Sequence, residues 1–108
     1  MYKMKNLSKE QLEEMKTNLR KSIYYLLVCV DPQTKDQCTH VDVDRAFDNL
    51  FYRLDGLNEL YEHPTGIVET CAFLKEANKE YHNNDFDFAL YKKMIFDAGS
   101  ACMKIGGE

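Results

Sequence analysis

Apolar residues recur every three or four positions along most of the chain, which is the spacing of one face of an α-helix. The first such run follows Leu7, Ser8 and Gln11, a combination typical of a helix start in which serine and glutamine form a capping box. We expect Asp31-Pro32 to end this helix, because the residue before a proline is disfavoured in helical conformation. Its predicted inward stripe consists of Leu12, Met15, Leu19, Ile23, Leu26 and Val30.

A second helix is predicted after residues 33–38, a polar stretch without periodicity that we interpret as the longest loop. Either Thr39 or Asp42 can cap the helix. Its apolar stripe runs through Gly56, so the helix is either continuous or broken at Asp55-Gly56. The register continues on both sides, and we expect packing to outweigh the cost of about 1 kcal/mol for a mid-helix glycine. The stripe consists of Val43, Phe47, Leu50, Leu54, Leu57 and Tyr61.

Two further helices are predicted between clusters of turn-forming residues. The segment 63–66 precedes the third helix, the segment 82–85 separates it from the fourth, and Gly106-Gly107 ends the fourth. The third helix is expected to turn Ile67, Cys71, Leu74 and Tyr81 inward, with Thr70 and Ala77 beside them. The expected inward stripe of the fourth consists of Leu90, Tyr91, Met94, Ala98, Ala101 and Ile105.

Four amphipathic helices joined by short connections predict an all-α fold, a four-helix up-down bundle. The chain has 108 residues, 44% hydrophobic and 30% charged, which fits one helical domain over residues 1–108. The small residues 98–101 would let another helix approach closely.

The alternative fold is α+β, with a short hairpin near residues 23–44. Residues 23–30 are rich in β-branched and aromatic side chains, and Val41 and Val43 alternate with polar residues. The helical stripe is continuous from Leu12, and this continuity favours the bundle.

The formal net charge of -4 argues against direct contact with nucleic acid, which usually requires a basic stripe. The basic residues Lys16, Arg20 and Lys21 are interpreted as part of a solvated helix face. Residues 1–6 lack the apolar core of an export signal, and no stretch approaches the roughly 20 apolar residues that span a bilayer. We therefore expect a cytoplasmic protein that has reduced cysteines and makes no membrane contact.

Cys38, His40, Asp42 and Asp44 form the strongest candidate for chemistry, a metal-dependent or thiol enzyme site. A Cys-x-His pair supplies only two of the four ligands that zinc requires, and the spacing of the acidic residues does not match a calcium loop. The segment shows neither a nucleophile elbow nor a phosphate-binding glycine loop. We therefore predict a non-enzymatic protein with no catalytic residue, metal or cofactor, and keep the enzyme as an alternative.

A DNA-binding regulator is the second alternative, with a helix-turn-helix around Asp55-Gly56-Leu57. The residue before the turn glycine is charged where the motif requires an apolar one. The helix that would follow is too short before Pro64. Both departures, together with the acidic charge, disfavour this function.

The second half of the first helix is apolar on every side, which predicts a partner beyond the helix's own bundle. Three of its side chains are expected to point away from the inward stripe, and three more lie on the outer faces of the second and fourth helices. Aromatic residues and methionine are enriched in protein interfaces. In the other interpretation, the long loop or a terminal segment covers these rings. The predicted partner-binding residues are Tyr24, Tyr25, Val28, Tyr52, Phe96 and Met103.

These patterns predict a protein–protein interaction module, a small acidic helical adaptor, regulatory subunit or inhibitor. An acidic protein can occupy a basic surface, so an enzyme that acts on nucleic acid is one candidate partner. A homodimer fits the exposed aromatic residues equally well.

Overall fold

A computed structural model of the chain describes residues 8–59 and 65–105. The described elements are α1 (Lys9–Val28), a short 3-10 helix (Lys35–Cys38), α2 (Val43–Asn58), α3 (Thr65–Tyr81) and α4 (Phe88–Cys102). No strand occurs in these two ranges, so the all-α prediction is confirmed and the hairpin alternative near residues 23–44 is wrong. The 3-10 helix lies in the stretch that the sequence predicts to be an irregular loop.

Each helix contacts the two helices beside it. α1 packs on α2 and α4, and α3 packs on the same two helices, which is the arrangement of the predicted four-helix bundle. Of these four contacts, that between α3 and α4 is the most extensive, and that between α1 and α2 is the sparsest. None of the helices in the described ranges has both the length and the apolar character that crossing a bilayer requires.

The helix starts follow the predicted capping residues. The Ser8 hydroxyl accepts the Gln11 backbone N–H at 3.1 Å, and the Gln11 side chain accepts the Ser8 N–H at 2.8 Å, which completes the capping box. Asp42, rather than the alternative Thr39, caps α2 by accepting the Arg45 N–H at 3.2 Å. Leu7, predicted to support the start of α1, lies outside the described residues.

The C-terminal end of α1 is closed by two side chains. The helix ends at Val28, ahead of Pro32, and its last carbonyls have no partner within the helix. The buried Tyr91 hydroxyl donates to the Leu26 carbonyl at 2.9 Å, and the Thr34 hydroxyl donates to the Val28 carbonyl at 2.7 Å. These bonds satisfy one buried and one partly buried acceptor, and they attach both α4 and the following loop to the end of α1.

The core contains most of the predicted stripes, with one correction in α4. α2 continues through Gly56 without a break, while Tyr61 lies outside the described residues. In α4, Leu90 is exposed, which corrects its predicted inward position. Met94 of α4 and Cys71 and Tyr81 of α3 are half-buried and pack against the core. The buried cluster consists of Leu19, Ile23, Leu26, Phe47, Leu50, Leu54, Ile67, Leu74, Ala77, Tyr91, Ile95, Ala98, Cys102 and Ile105.

Candidate functional site

The four residues of the predicted enzyme site have different surroundings. Cys38 is buried and His40 is exposed, while the Asp42 carboxylate is used as the cap of α2. Asp44 lies on the surface with its Oδ1 atom 2.6 Å from Nε2 of His82 at the end of α3. Within residues 8–59 and 65–105, no three His, Cys, Asp or Glu side chains come together in a way that could hold a metal ion.

The sequence predicted that Tyr24 points away from its own bundle, and this prediction is wrong. The Tyr24 ring packs on α4. A Cβ atom at Gly99 would lie 2.6 Å from the Tyr24 hydroxyl oxygen, so the glycine makes room for this ring. The Tyr24 ring also meets Phe96 edge to face, with 5.6 Å between ring centroids. Lys92 Nζ lies 6.0 Å from the Phe96 centroid. Tyr24 therefore belongs to the contact between α1 and α4.

The other predicted partner-binding residues differ in exposure. Val28 lies one turn beyond Tyr24 and is half-buried, and so is Met103 at the C-terminal end of α4. Tyr52 is 80% exposed on α2, and Tyr25 is 42% exposed on α1. Among the six, Tyr25 lines a groove between helices.

This groove follows the sparse contact between α1 and α2, and we call it the α1–α2 groove. It has two parts, of about 330 Å³ and about 250 Å³, and Arg53 lines both. The lining residues from α1 are Met15, Leu19, Lys21, Ser22 and Tyr25. Those from α2 are Ala46, Asn49, Leu50, Arg53, Gly56 and Leu57.

The groove exists because α2 presents small residues at the positions that face it. Ala46 and Gly56 leave space beside the buried stripe of α2, and a Cβ atom at Gly56 would meet nothing within 4 Å. The buried Leu19 and Leu50 form an apolar floor beneath this space. The groove therefore has the apolar base and the open side that a docked helix requires.

Positive charge lies along the groove, and no carboxylate of the described residues pairs with it. Arg53 Nη1 donates to the Ser22 hydroxyl at 3.0 Å, which holds the guanidinium at the junction of the two parts. Neither Arg53 nor Lys21 forms an ion pair with the described part of the chain. No aspartate or glutamate is among the described residues that line the groove. The groove is thus locally cationic in a protein whose net charge is -4.

An uncharged cluster lies beside Tyr25, which lines the groove. Interaction with the Cys38 side chain, followed by burial, raises the pKa of Tyr25. Burial, together with a hydrogen bond to Cys38, raises the pKa of the Cys29 thiol to about 12. Tyr25 and Cys29 are therefore neutral near pH 7, and the charge of the groove comes from its basic side chains.

The side chains of the groove combine hydrogen-bonding groups with apolar ones. They offer donors, a phenol and aliphatic groups, but no histidine or carboxylate among the described lining residues that could act as a general base. Sequence reasoning identified Tyr25 but missed Arg53, and it interpreted Lys21 as part of a solvated face. A signal for the groove was the spacing of Ala46, Asn49 and Arg53, which places small and polar residues beside the apolar stripe of α2.

No family model, curated protein or solved structure matches the chain.

Proposed function

We propose that the protein is a non-enzymatic interaction module, an adaptor, regulatory subunit or inhibitor, and that its α1–α2 groove receives an acidic helical segment of a protein partner. The observation that carries the proposal is the combination of an apolar floor with two basic side chains that have no carboxylate partner among the described residues.

The length of the groove fits a short helix. On α1 the lining runs from Met15 to Tyr25, a span of about 15 Å at the helical rise of about 1.5 Å per residue. That length accommodates about three turns of a docked helix. Amphipathic helices bind such grooves by inserting apolar residues spaced three and four apart.

The charge of the groove favours an acidic segment. A carboxylate opposite Arg53 would form a charge-assisted hydrogen bond that the guanidinium lacks within the described chain. Charges of this kind at the edge of an interface speed association and select partners more than they add affinity. A basic partner such as an enzyme that acts on nucleic acid, inferred from the net charge alone, stays a prediction without support from this groove.

The closed contact between α1 and α4 is a weaker candidate for the docking surface. Tyr24 and Phe96 already contact each other there, and the Tyr24 ring occupies the space above Gly99. A partner at that contact would have to displace packing that already exists, whereas the α1–α2 groove is open.

Site-specific photo-crosslinking in the native cell extract tests the proposal. A photo-crosslinking amino acid replaces Asn49, which lines the groove, and in a matched protein it replaces Tyr52, which lies outside the lining and is 80% exposed. We expect one partner segment, amphipathic and acidic, to be attached at position 49 and not at position 52. Arg53→Glu should abolish that product, while Lys93→Glu on the surface of α4 should leave it unchanged.

Three outcomes would contradict the proposal. Equal attachment at positions 49 and 52 would show that the groove does not select the partner. Attachment of a basic segment would reverse the assigned charge. Attachment of a second copy of this chain would replace the hetero-complex with a homodimer.

A further inference from the structure

The two parts of the α1–α2 groove differ in chemistry. The smaller part is apolar except for the guanidinium of Arg53, and its other lining residues are Met15, Leu19, Gly56 and Leu57. The larger part contains the polar side chains of the groove, which are Lys21, Ser22, Tyr25, Asn49 and Arg53. A segment docked along the groove therefore meets an apolar surface at one end and basic donors at the other.

The lining residues of α1 give the distance between the two parts. Met15 and Leu19 line the smaller part, whereas Lys21, Ser22 and Tyr25 line the larger part. The centres of these two sets lie about six residues apart, which is about 9 Å at the helical rise of about 1.5 Å per residue.

The lining residues of α2 give the same distance. The smaller part is lined by Arg53, Gly56 and Leu57, and the larger part by Ala46, Asn49, Leu50 and Arg53. The centres of these sets are again about six residues, or about 9 Å, apart. Arg53 contributes to both parts, so its guanidinium lies between the apolar end and the end that contains Lys21.

A docked helix can match this arrangement at only a few of its positions. Residues four and seven positions from a given residue lie on the same face of a helix. They are about 6 Å and about 10.5 Å away along the axis. The spacing of seven is the closest to the separation of the two parts, and the spacing of four falls between them, beside Arg53.

We propose that the acidic helix in the α1–α2 groove presents an apolar residue to the smaller part and two carboxylates to the basic side chains. One carboxylate, four residues from the apolar residue, pairs with Arg53. The other, seven residues from it in the same direction, pairs with Lys21. This inference rests on the proposed docking function and specifies the sequence pattern of the partner.

The binding of synthetic peptides to the full chain, followed by fluorescence anisotropy, tests the pattern. Each peptide is an alanine-based helix with a staple on its outer face, one leucine and two glutamates. Two matched peptides carry the glutamates four and seven residues after the leucine or before it. The control peptide carries them two and nine residues after the leucine, on the opposite face. We expect one matched peptide to bind at least about tenfold more tightly than the control.

Variants of the protein assign each carboxylate to its basic partner. Lys21→Gln should weaken the better matched peptide by at least about threefold, but not its derivative with glutamine at the spacing of seven. Arg53→Met should show the same dependence on the glutamate at the spacing of four. Lys75→Gln on the surface of α3 should leave the binding of every peptide unchanged. Because Lys21 is exposed, its variant tests the pattern even if Arg53→Met fails to fold.

The outcomes separate this inference from the docking function on which it rests. The segment attached at position 49 by photo-crosslinking should itself contain the pattern. An acidic segment without the pattern, or equal binding of matched and control peptides, would overturn the spacing and leave the docking function standing. Absence of binding by every peptide, together with no acidic segment attached at position 49, would overturn both.

Discussion

The contacts that α1 makes on its two sides each include a mid-helix glycine, yet one contact is closed and the other is open. On the α4 side, the space left by the missing side chain of Gly99 is filled by the Tyr24 ring. On the α2 side, the corresponding space beside Gly56 is empty within 4 Å. A glycine in a helix thus tightens a bundle where a large neighbour fills the space, and it leaves a groove where no neighbour does.

The largest expected effect comes from giving each glycine a large side chain. Gly99→Leu should destabilise the protein by about 1–3 kcal/mol, because the new side chain competes with Tyr24 for the same space. Gly56→Leu, the matched control, should not destabilise it, since the position is open. Urea unfolding of both variants measures the difference in stability. Equal losses of stability would show that the two contacts are packed alike.

A second pair of variants removes one hydroxyl from each side of α1. Tyr91→Phe should cost about 1–2 kcal/mol, because it leaves the buried Leu26 carbonyl without the bond that closes α1. Tyr25→Phe at the end of the groove should cost less than about 0.5 kcal/mol, because that side chain is 42% exposed. The denaturant midpoints of the two variants give their relative stability. A larger loss of stability for Tyr25→Phe would reverse the assignment of closed and open sides.

A smaller change is expected for Gly56→Ala, in the opposite direction. Alanine should stabilise α2 by about 0.5–1 kcal/mol, since glycine costs about that much inside a helix and nothing hinders the added methyl group. The same methyl group narrows the α1–α2 groove. Thermal unfolding should therefore show a more stable protein, and a less stable one would mean that the space beside Gly56 is not open.

The smallest effect on stability is expected for Arg53→Met. The methionine keeps an unbranched apolar chain over the groove and removes the charge. The free energy of unfolding should therefore change by less than about 0.5 kcal/mol. Photo-crosslinking from position 49 should nevertheless fall, because the acidic segment loses its carboxylate partner. A large loss of stability would place Arg53 in the structural packing and not in the docking surface.

Local features of the fold were predictable because their causes lie within a few residues. The capping box of Ser8 and Gln11 and the cap at Asp42 depend on bonds that span three positions, so the sequence alone identifies them. The continuity of α2 through Gly56 followed from the apolar register on both sides.

The site was less predictable because it depends on which helix lies opposite. Tyr24 and Tyr25 are adjacent in sequence and about 100° apart around α1. One therefore packs on α4 and the other lines the groove beside α2. No pattern within α1 distinguishes a ring that meets Gly99 from a ring that meets solvent. The basic character of the groove likewise needs Lys21 and Arg53 from two different helices.

The most direct test of the docking claim fills the groove while leaving the fold intact. A photo-crosslinking amino acid at position 49 is compared in the wild-type chain and in Gly56→Leu, with circular dichroism and urea unfolding as checks on structure. We predict that the yield of the acidic partner segment falls at least about tenfold, which corresponds to about 1.4 kcal/mol of binding free energy. An unchanged yield from a stably folded Gly56→Leu protein would contradict the assignment of the α1–α2 groove as the docking surface.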